Sequence, residues 1–276
     1  MAEPLFERVA VVGLGLIGGS VALGARERGI AREVRGVDPK RSEAGPIPLM
    51  PLAEAAKWAD LLVLAVPVGA IEQVLEGVAP HLRPETLLTD VASVKRPMAE
   101  AARRILPHPE NCVGAHPMAG SDLVGFDHAR ADLFEGAACI LTIEGHEPPQ
   151  VVDRVAEFWQ CFGTFTVRKT PAEHDAITAA LSHAPHVIAY AFAEGLPGDD
   201  TLQLAGAGLR DFIRIARANP ALWCEILLMN RSLVAEELAR FEKNLMKIRD
   251  AMALGDREAL ERALRSGQTA LDKLER

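Results

Sequence analysis

Near the start of the chain, Gly13-Leu14-Gly15-Leu16-Ile17-Gly18 forms a G-x-G-x-x-G, followed by Gly19, Ser20 and a helical pattern. Glycine at the first position permits a tight turn, and at the second it lets the backbone approach a pyrophosphate. Glycine at the third lets helix and strand pack closely. The helix N-terminus adds free N–H groups and a favourable dipole for an anion. Alone the motif is weak, but it follows the strand-like run Val9–Gly13. Twenty residues beyond Gly18 stands Asp38, closing Arg35-Gly36-Val37-Asp38. A carboxylate there accepts hydrogen bonds from both hydroxyls of an adenosine ribose and repels a 2′-phosphate. The chemistry is dinucleotide binding, NAD in preference to NADP, with Arg41 as the residue that argues for a 2′-phosphate. A glycine turn beside an ordinary surface aspartate would explain neither the spacing nor the context.

A bound NAD implies hydride transfer, which needs a base for the proton leaving an alcohol. Of eight histidines, His81, His108 and His146 lie near prolines or in polar turns, and His128 in a polar segment. His116 differs, because it directly follows the strand-like run Cys112–Ala115 in Gly114-Ala115-His116-Pro117-Met118-Ala119-Gly120-Ser121. Flanking proline and glycine make a stiff loop, which is how a scaffold holds a reacting side chain. His183 and His186 are three apart on a predicted helix and share a face, where a satisfied core histidine is the ordinary reading for at least one. Arg210, Arg214 and Arg217 also follow helical spacing, as a solvated charged face would. His174-Asp175 reads as a helix start rather than a catalytic pair.

These residues need positioning elements. Strands are predicted over 9–13, 33–38, 61–66, 86–91, 112–115, 138–143 and 164–168, and helices over 17–28, 70–79, 97–105 and 149–161. Apolar runs such as Leu61-Leu62-Val63-Leu64-Ala65-Val66 suit strands buried on both faces of a parallel sheet. The fold class is α/β: a doubly wound Rossmann-type, mostly parallel sheet, followed by an all-helical second domain. Two further strand ends, Ala65-Val66-Pro67 and Asp90-Val91-Ala92-Ser93-Val94-Lys95, face the same cleft beyond the carboxyl edge. After Pro171 the strand signal ends, and helices are predicted over 172–195, 201–218, 220–254 and 256–273. The division is a dinucleotide-binding domain, 1–168, and a helical substrate and dimerisation domain, 169–276. The long third helix repeats apolar residues such as Leu238, Phe241 and Leu245 and needs partners on more than one side, which favours a homodimer.

With 276 residues, 49% of them hydrophobic, the chain has ample core, and its composition excludes a disordered or fibrous class. A net charge of −8 argues against nucleic acid or an anionic membrane as a partner. Cys112, Cys139, Cys161 and Cys224 form no C-x-x-C pair, so neither a disulfide framework nor a metal site is expected. No signal peptide is visible, the longest apolar runs are too short for a bilayer, and the expected location is cytoplasmic.

The His116 loop resembles the His-Pro-x-Ala-Gly-Ser/Thr motif of the prephenate dehydrogenase family of tyrosine biosynthesis. Gly13 to Ser20 resembles the family's opening, and Asp90 to Lys95 its D-V-x-S-V-K loop. Ser182-His183-Ala184-Pro185-His186 is similar to S-H-x-P-H. Arg210-Asp211-Phe212-Ile213-Arg214-Ile215-Ala216 is similar to R-D-F-x-R-I-A, and Asn219-Pro220-Ala221-Leu222-Trp223 follows in the family's order. The resemblance implies NAD-dependent oxidative decarboxylation of prephenate to 4-hydroxyphenylpyruvate, or of arogenate in a close relative. It implies His116 as proton acceptor, with Ser93 orienting it and touching the nicotinamide. Arg214 would pair with a substrate carboxylate, His186 would hold the other anionic end, and Ser121 and Arg210 would lie nearby. Gly13, Gly15, Leu16, Ile17, Gly18, Asp38, Val66, Pro67 and Ser93 would line the cofactor. Gly206-Ala207-Gly208-Leu209 departs from the family's glycine triplet, and the proline-rich 39–58 stretch leaves little room for a full second crossover helix. No space for an ACT regulatory domain or a fused chorismate mutase is expected after the last helix. A β-hydroxyacid-type dehydrogenase shares the plan but usually has a lysine on the first helix past the junction, where this chain has His183 and His186. A catalytically silent NAD-binding redox sensor would need neither His116 nor Arg214.

Overall fold

Val9-Ala10-Val11-Val12 and Leu61-Leu62-Val63-Leu64 have no polar residue and are at most 3% exposed, as strands covered on both faces must be. The computed structural model describes residues 3–120, 123–198 and 200–272. In it these runs sit in a sheet built from β1 (Phe6–Val12), β2 (Ala31–Val37), β3 (Leu61–Leu64), β4 (Leu87–Asp90), β5 (Cys112–Pro117), β6 (Ala138–Thr142) and β7 (Phe165–Lys169). The order is β2-β1-β3-β4-β5-β6-β7. Every pair is parallel except β5 with β6, in which His116 stands opposite Ile140.

The strand period of two divides the core between the faces. Val9, Val11, Leu61 and Val63 pack with α1 (Leu16–Glu27) and α5 (Pro149–Gln160), through Val21, Ala22, Phe158 and Trp159. Ala10, Val12, Leu62 and Leu64 pack on the opposite side with α2 (Leu52–Trp58), α3 (Ile71–Val78) and α4 (Arg96–Ile105), through Ala55, Ile71, Leu75 and Met98. This is the doubly wound arrangement. The proline-rich 39–58 stretch holds only a short helix, the seven residues of α2.

Packing divides the described chain into two compact units. The first takes residues up to Thr178 together with Arg217–Met229, and so includes α6 (Pro171–Thr178) and α9 (Pro220–Met229). The second takes Ala179–Ala216 and the residues from Asn230 onward. It contains a π turn (Ala179–His183), α7 (Ala184–Glu194), α8 (Ala207–Ile213), α10 (Arg231–Leu254) and α11 (Arg257–Leu271). No strand is found among its described residues.

Two helical expectations are corrected. The stretch 201–218 is not one helix, because extended backbone at Gly206 (φ −74°, ψ 175°) separates a 3-10 segment from α8, and Arg214–Arg217 is again 3-10. The stretch 220–254 is two helices parted at Asn230 (φ −108°, ψ 21°), a buried residue whose amide donates to His183 Nδ1 at 3.1 Å. The helical run Pro171–Glu194 is long and apolar enough to cross a membrane by length and composition, which the sequence reading did not anticipate. It carries His174 and Asp175, both buried within the first unit.

In the second unit, α10 stops at Gly255, whose φ of 65° a side chain would strain, and Asp256 opens α11 by accepting from the Ala259 N–H at 2.9 Å. Along α10, Phe241, Leu245, Met246 and Met252 are exposed.

Candidate active site

In the sheet order, β2 lies on one side of β1 and β3 on the other, so the chain reverses direction across the sheet at β1. Ligands bind beyond the carboxyl edge at such a switch point. The glycine turn leaves β1 there, and the Ala65-Val66-Pro67 loop leaves β3 beside it. Gly13 has φ 90°, and a Cβ on it would strike the Ala65 carbonyl. A Cβ on Gly18 would run into the Gly13 carbonyl, so α1 approaches the strand as closely as the motif requires. Gly15 caps α1 and is exposed, and a Cβ there would meet nothing within 4 Å. The N-terminus of α1 is therefore an open backbone surface flanked by Leu16 and Ile17, both half-buried.

Asp38 follows β2. Its Oδ2 accepts from the Leu14 N–H at 3.1 Å and its Oδ1 from the Lys40 N–H at 2.9 Å, which ties the carboxylate to the glycine turn. The Arg41 guanidinium lies over the Phe126 ring, 5.1 Å from its centroid. Phe126 in turn packs where Gly19 lacks a side chain, a Cβ there standing 2.7 Å from the ring. The sequence reading did not single out Phe126. Its only signal was the second glycine of the Gly18-Gly19 pair. An open helix N-terminus, a carboxylate at the end of β2 and apolar Val66 on the facing loop fit an adenine dinucleotide.

Deeper in the first unit, Asp90 at the end of β4 and Lys95 before α4 have fully buried side chains, with Lys95 Nζ donating to Asp90 Oδ2 at 2.6 Å. Asp90 also accepts from the N–H groups of Ala92 (2.8 Å) and Ala115 (3.3 Å), and Lys95 Nζ donates to the Ala115 carbonyl. This cluster fixes the D-V-x-S-V-K loop, with Ser93 half-buried on it, against the residue that precedes His116.

His116 is half-buried on β5. Its Nδ1 is 2.9 Å from His174 Nε2, and His174 Nδ1 is 2.8 Å from Asp175 Oδ1. Both α6 side chains are at most 1% exposed. Asp175 also accepts from the backbone N–H groups of Lys95 (2.7 Å) and Arg96 (3.1 Å), so it caps α4 from a neighbouring helix. Burial pushes the Asp175 pKa up, but bonds from His174, Lys95 and Arg96 outweigh it and hold the carboxyl below its usual range. Burial lowers the His174 pKa, and the Lys95 ammonium adds to the effect against the opposing pull of Asp175. The expectation that His174-Asp175 is merely a helix start is therefore corrected. Expecting a helix start was reasonable, because the pair does lie on the first turn of α6. What sequence could not show is that α6 brings the His174 ring to His116. The partner at His116 Nδ1 is His174, whereas Ser93 had been expected to orient the ring.

Of the other expected site residues, His186, Arg214 and Arg210 lie in the second unit. His186 is half-buried, and its Nδ1–H donates to the Ser182 carbonyl at 2.8 Å. Burial lowers its pKa, the Ser182 bond opposes this, and the Arg214 guanidinium lowers it further. Arg214 is exposed and in no ion pair among the described residues. Arg210 is also exposed and donates through Nε to the Ala205 carbonyl at 3.2 Å. His183 is 1% exposed and bonded to Asn230, the satisfied core histidine of the pair. Ser121 lies outside the described residues. Among the described residues no cluster suited to a metal ion is found.

A glycine turn at the switch point and an acidic residue closing β2 define a Rossmann-type dinucleotide-binding protein, here with a helical second part. Residues 21–167 match the family model described as prephenate dehydrogenase, nucleotide-binding domain, and residues 170–266 the one described as prephenate dehydrogenase, dimerization domain. The chain belongs to the prephenate dehydrogenase family. It is 31% identical over 282 residues to a prephenate dehydrogenase of Bacillus subtilis, covering 97% of this chain and 76% of that one. It is also 31% identical over 280 residues to a cyclohexadienyl dehydrogenase of Zymomonas mobilis, covering 96% and 95%. The crystal structure of prephenate dehydrogenase from Aquifex aeolicus, in complex with hydroxyphenyl propionate and NAD+, superposes with a TM-score of 0.89. The two are 26% identical, over 99% of each chain.

Proposed function

We propose that this protein catalyses NAD-dependent oxidative decarboxylation of prephenate to 4-hydroxyphenylpyruvate, a step of tyrosine biosynthesis. The observation that carries the reading is His116 held by its Nδ1 at the end of β5 in a chain that matches both parts of the family. Bound NAD would accept the hydride from ring C4. His116 takes the C4 hydroxyl proton through Nε2, and carbon dioxide leaves as the ring becomes aromatic. Aromatisation drives the reaction, so the protein's tasks are orientation, proton acceptance and anion binding. Gly13, Gly15, Leu16, Ile17 and Gly18 hold the pyrophosphate, Asp38 the adenosine ribose, and Val66, Pro67 and Ser93 the remaining edge of the cofactor. Arg214 pairs with a substrate carboxylate, for which a planar guanidinium is suited. His186 takes the other anionic end, with Ser121 and Arg210 beside the substrate.

The Zymomonas mobilis relative supports a second reading, in which arogenate is also accepted. NADH formation with prephenate and with arogenate, each with NAD and NADP, separates the two. No turnover of either substrate despite tight NAD binding would leave only a silent NAD-binding sensor.

Two variants test the assigned contacts. Asp38→Ala is expected to weaken NAD binding and to narrow the preference over NADP. Equal use of both cofactors by the unaltered protein would remove Asp38 as the selector. Arg214→Ala is expected to raise the Michaelis constant for prephenate roughly tenfold or more, the scale of a charged hydrogen bond of about 1.5–3 kcal/mol. An unchanged constant would place the carboxylate elsewhere.

The same reading divides the chain into a cofactor part, 1–168, and a helical part, 169–276, which carries a homodimer. The dimerization-domain match and the exposed Phe241, Leu245 and Met246 support it. Light scattering should give about twice 29.7 kDa, and a monomer would end this part of the proposal. A cytoplasmic location accords with the four free cysteines, among them Cys139, whose thiol burial pushes up to about 12.

A further inference from the structure

We propose that His174 and Asp175 are positioning residues that hold His116 in the tautomer with its proton on Nδ1, whose Nε2 carries the lone pair that takes the substrate's hydroxyl proton. The inference rests on the reading of His116 as the base.

Three observations on one short chain of atoms carry it. Asp175 receives two backbone N–H groups and the His174 ring, an environment that keeps it a carboxylate. A carboxylate at 2.8 Å requires a proton on His174 Nδ1. Neutral His174 then has no hydrogen on Nε2, so this atom accepts, and the proton in the 2.9 Å contact belongs to His116 Nδ1. A neutral His116 with its proton on Nδ1 has its lone pair on Nε2. A free imidazole in water prefers the opposite tautomer only slightly, so a single directed acceptor is enough to reverse it.

The groups facing His174 agree with this assignment. Asp175 lies on its own helix, His116 on β5, Asp90 at the end of β4 and Lys95 before α4. Burial and the Lys95 ammonium both disfavour a charged His174, so it stays an acceptor while His116 takes the charge. When His116 becomes an imidazolium, its Nδ1–H bond to His174 strengthens, which stabilises the charge that develops as hydride leaves. The arrangement parallels the orienting carboxylate of a serine-protease triad, with a second imidazole inserted between acid and base.

The test is His174→Phe, which removes the acceptor, and His174→Gln, whose amide oxygen can replace it. They are measured beside His116→Asn in the full-length protein with NAD and prephenate. His174→Phe is expected to lower kcat roughly 10- to 100-fold, the scale of a lost orienting partner, with both Michaelis constants within about threefold. The acidic limb of its pH profile should move to lower pH, because His116 loses the bond that favours its protonated form. His174→Gln should recover most of kcat. Nitrogen-15 NMR of the unaltered protein at alkaline pH should show neutral His116 protonated on Nδ1. A His116 protonated on Nε2 overturns the proposal whatever the variants do. So does a His174→Phe protein with normal kcat, or one that the glutamine fails to rescue. If His116→Asn also turns over normally, it is the base assignment itself that has failed.

Discussion

Replacing His116 by asparagine is expected to lower turnover by two to four powers of ten, the usual scale for a general base (roughly 10²–10⁴-fold). NAD and prephenate binding should change only a few-fold. Asparagine keeps a hydrogen-bonding group near the Nδ1 position, so contact with His174 can survive while the basic Nε2 is lost. The effect therefore isolates proton acceptance from the packing of the loop. His116 sits next to Ala115, whose N–H and carbonyl are both engaged by the Asp90–Lys95 pair, so the backbone should hold its place. Near-normal turnover would remove His116 from the mechanism. A parallel collapse in prephenate affinity would show that the ring mainly binds.

Lys95→Met should have the largest effect on stability. Both side chains of the Lys95–Asp90 pair are fully buried, and the substitution leaves the Asp90 carboxylate in the core with only two backbone N–H donors. Removing one partner of a buried pair costs about 3–5 kcal/mol, because the remaining charge keeps its desolvation cost without its counter-ion. At about 2–4 °C per kcal/mol for a protein of this size, the melting temperature should fall by roughly 6–20 °C. Replacing both residues together, Asp90→Leu with Lys95→Met, should be milder than Lys95→Met alone. A loss under about 1 kcal/mol in Lys95→Met would mean that water reaches Asp90.

Much of this was legible in the chain because the strongest signals are local. The glycine turn and the apolar runs of β1 and β3 each depend on residues within a few positions of one another. The sites of failure depend on contacts far apart in sequence. His174 and Asp175 have the types expected of a helix start, and nothing nearby reveals that the His174 ring meets His116, 58 residues earlier. The long helix is interrupted at Asn230, whose amide finds a buried partner in His183, 47 residues away, and no periodicity can register that contact. Gly206 was noted only for the family's glycine pattern, yet it ends the run expected as one helix by adopting extended backbone. Phe126 fell in a polar stretch and matters only because Gly19 leaves space for its ring.

The helix that carries His174 and Asp175 begins three residues after position 168, the end proposed for the cofactor part. A fragment cut there would end one residue short of the end of β7 and lose the acid that caps α4 and the ring that meets His116. In such a fragment the base would be untethered. Inheritance and shuffling of this protein's halves are thus constrained by a seam that sequence matching and packing draw in different places. A cofactor module borrowed from this chain would have to bring α6 with it.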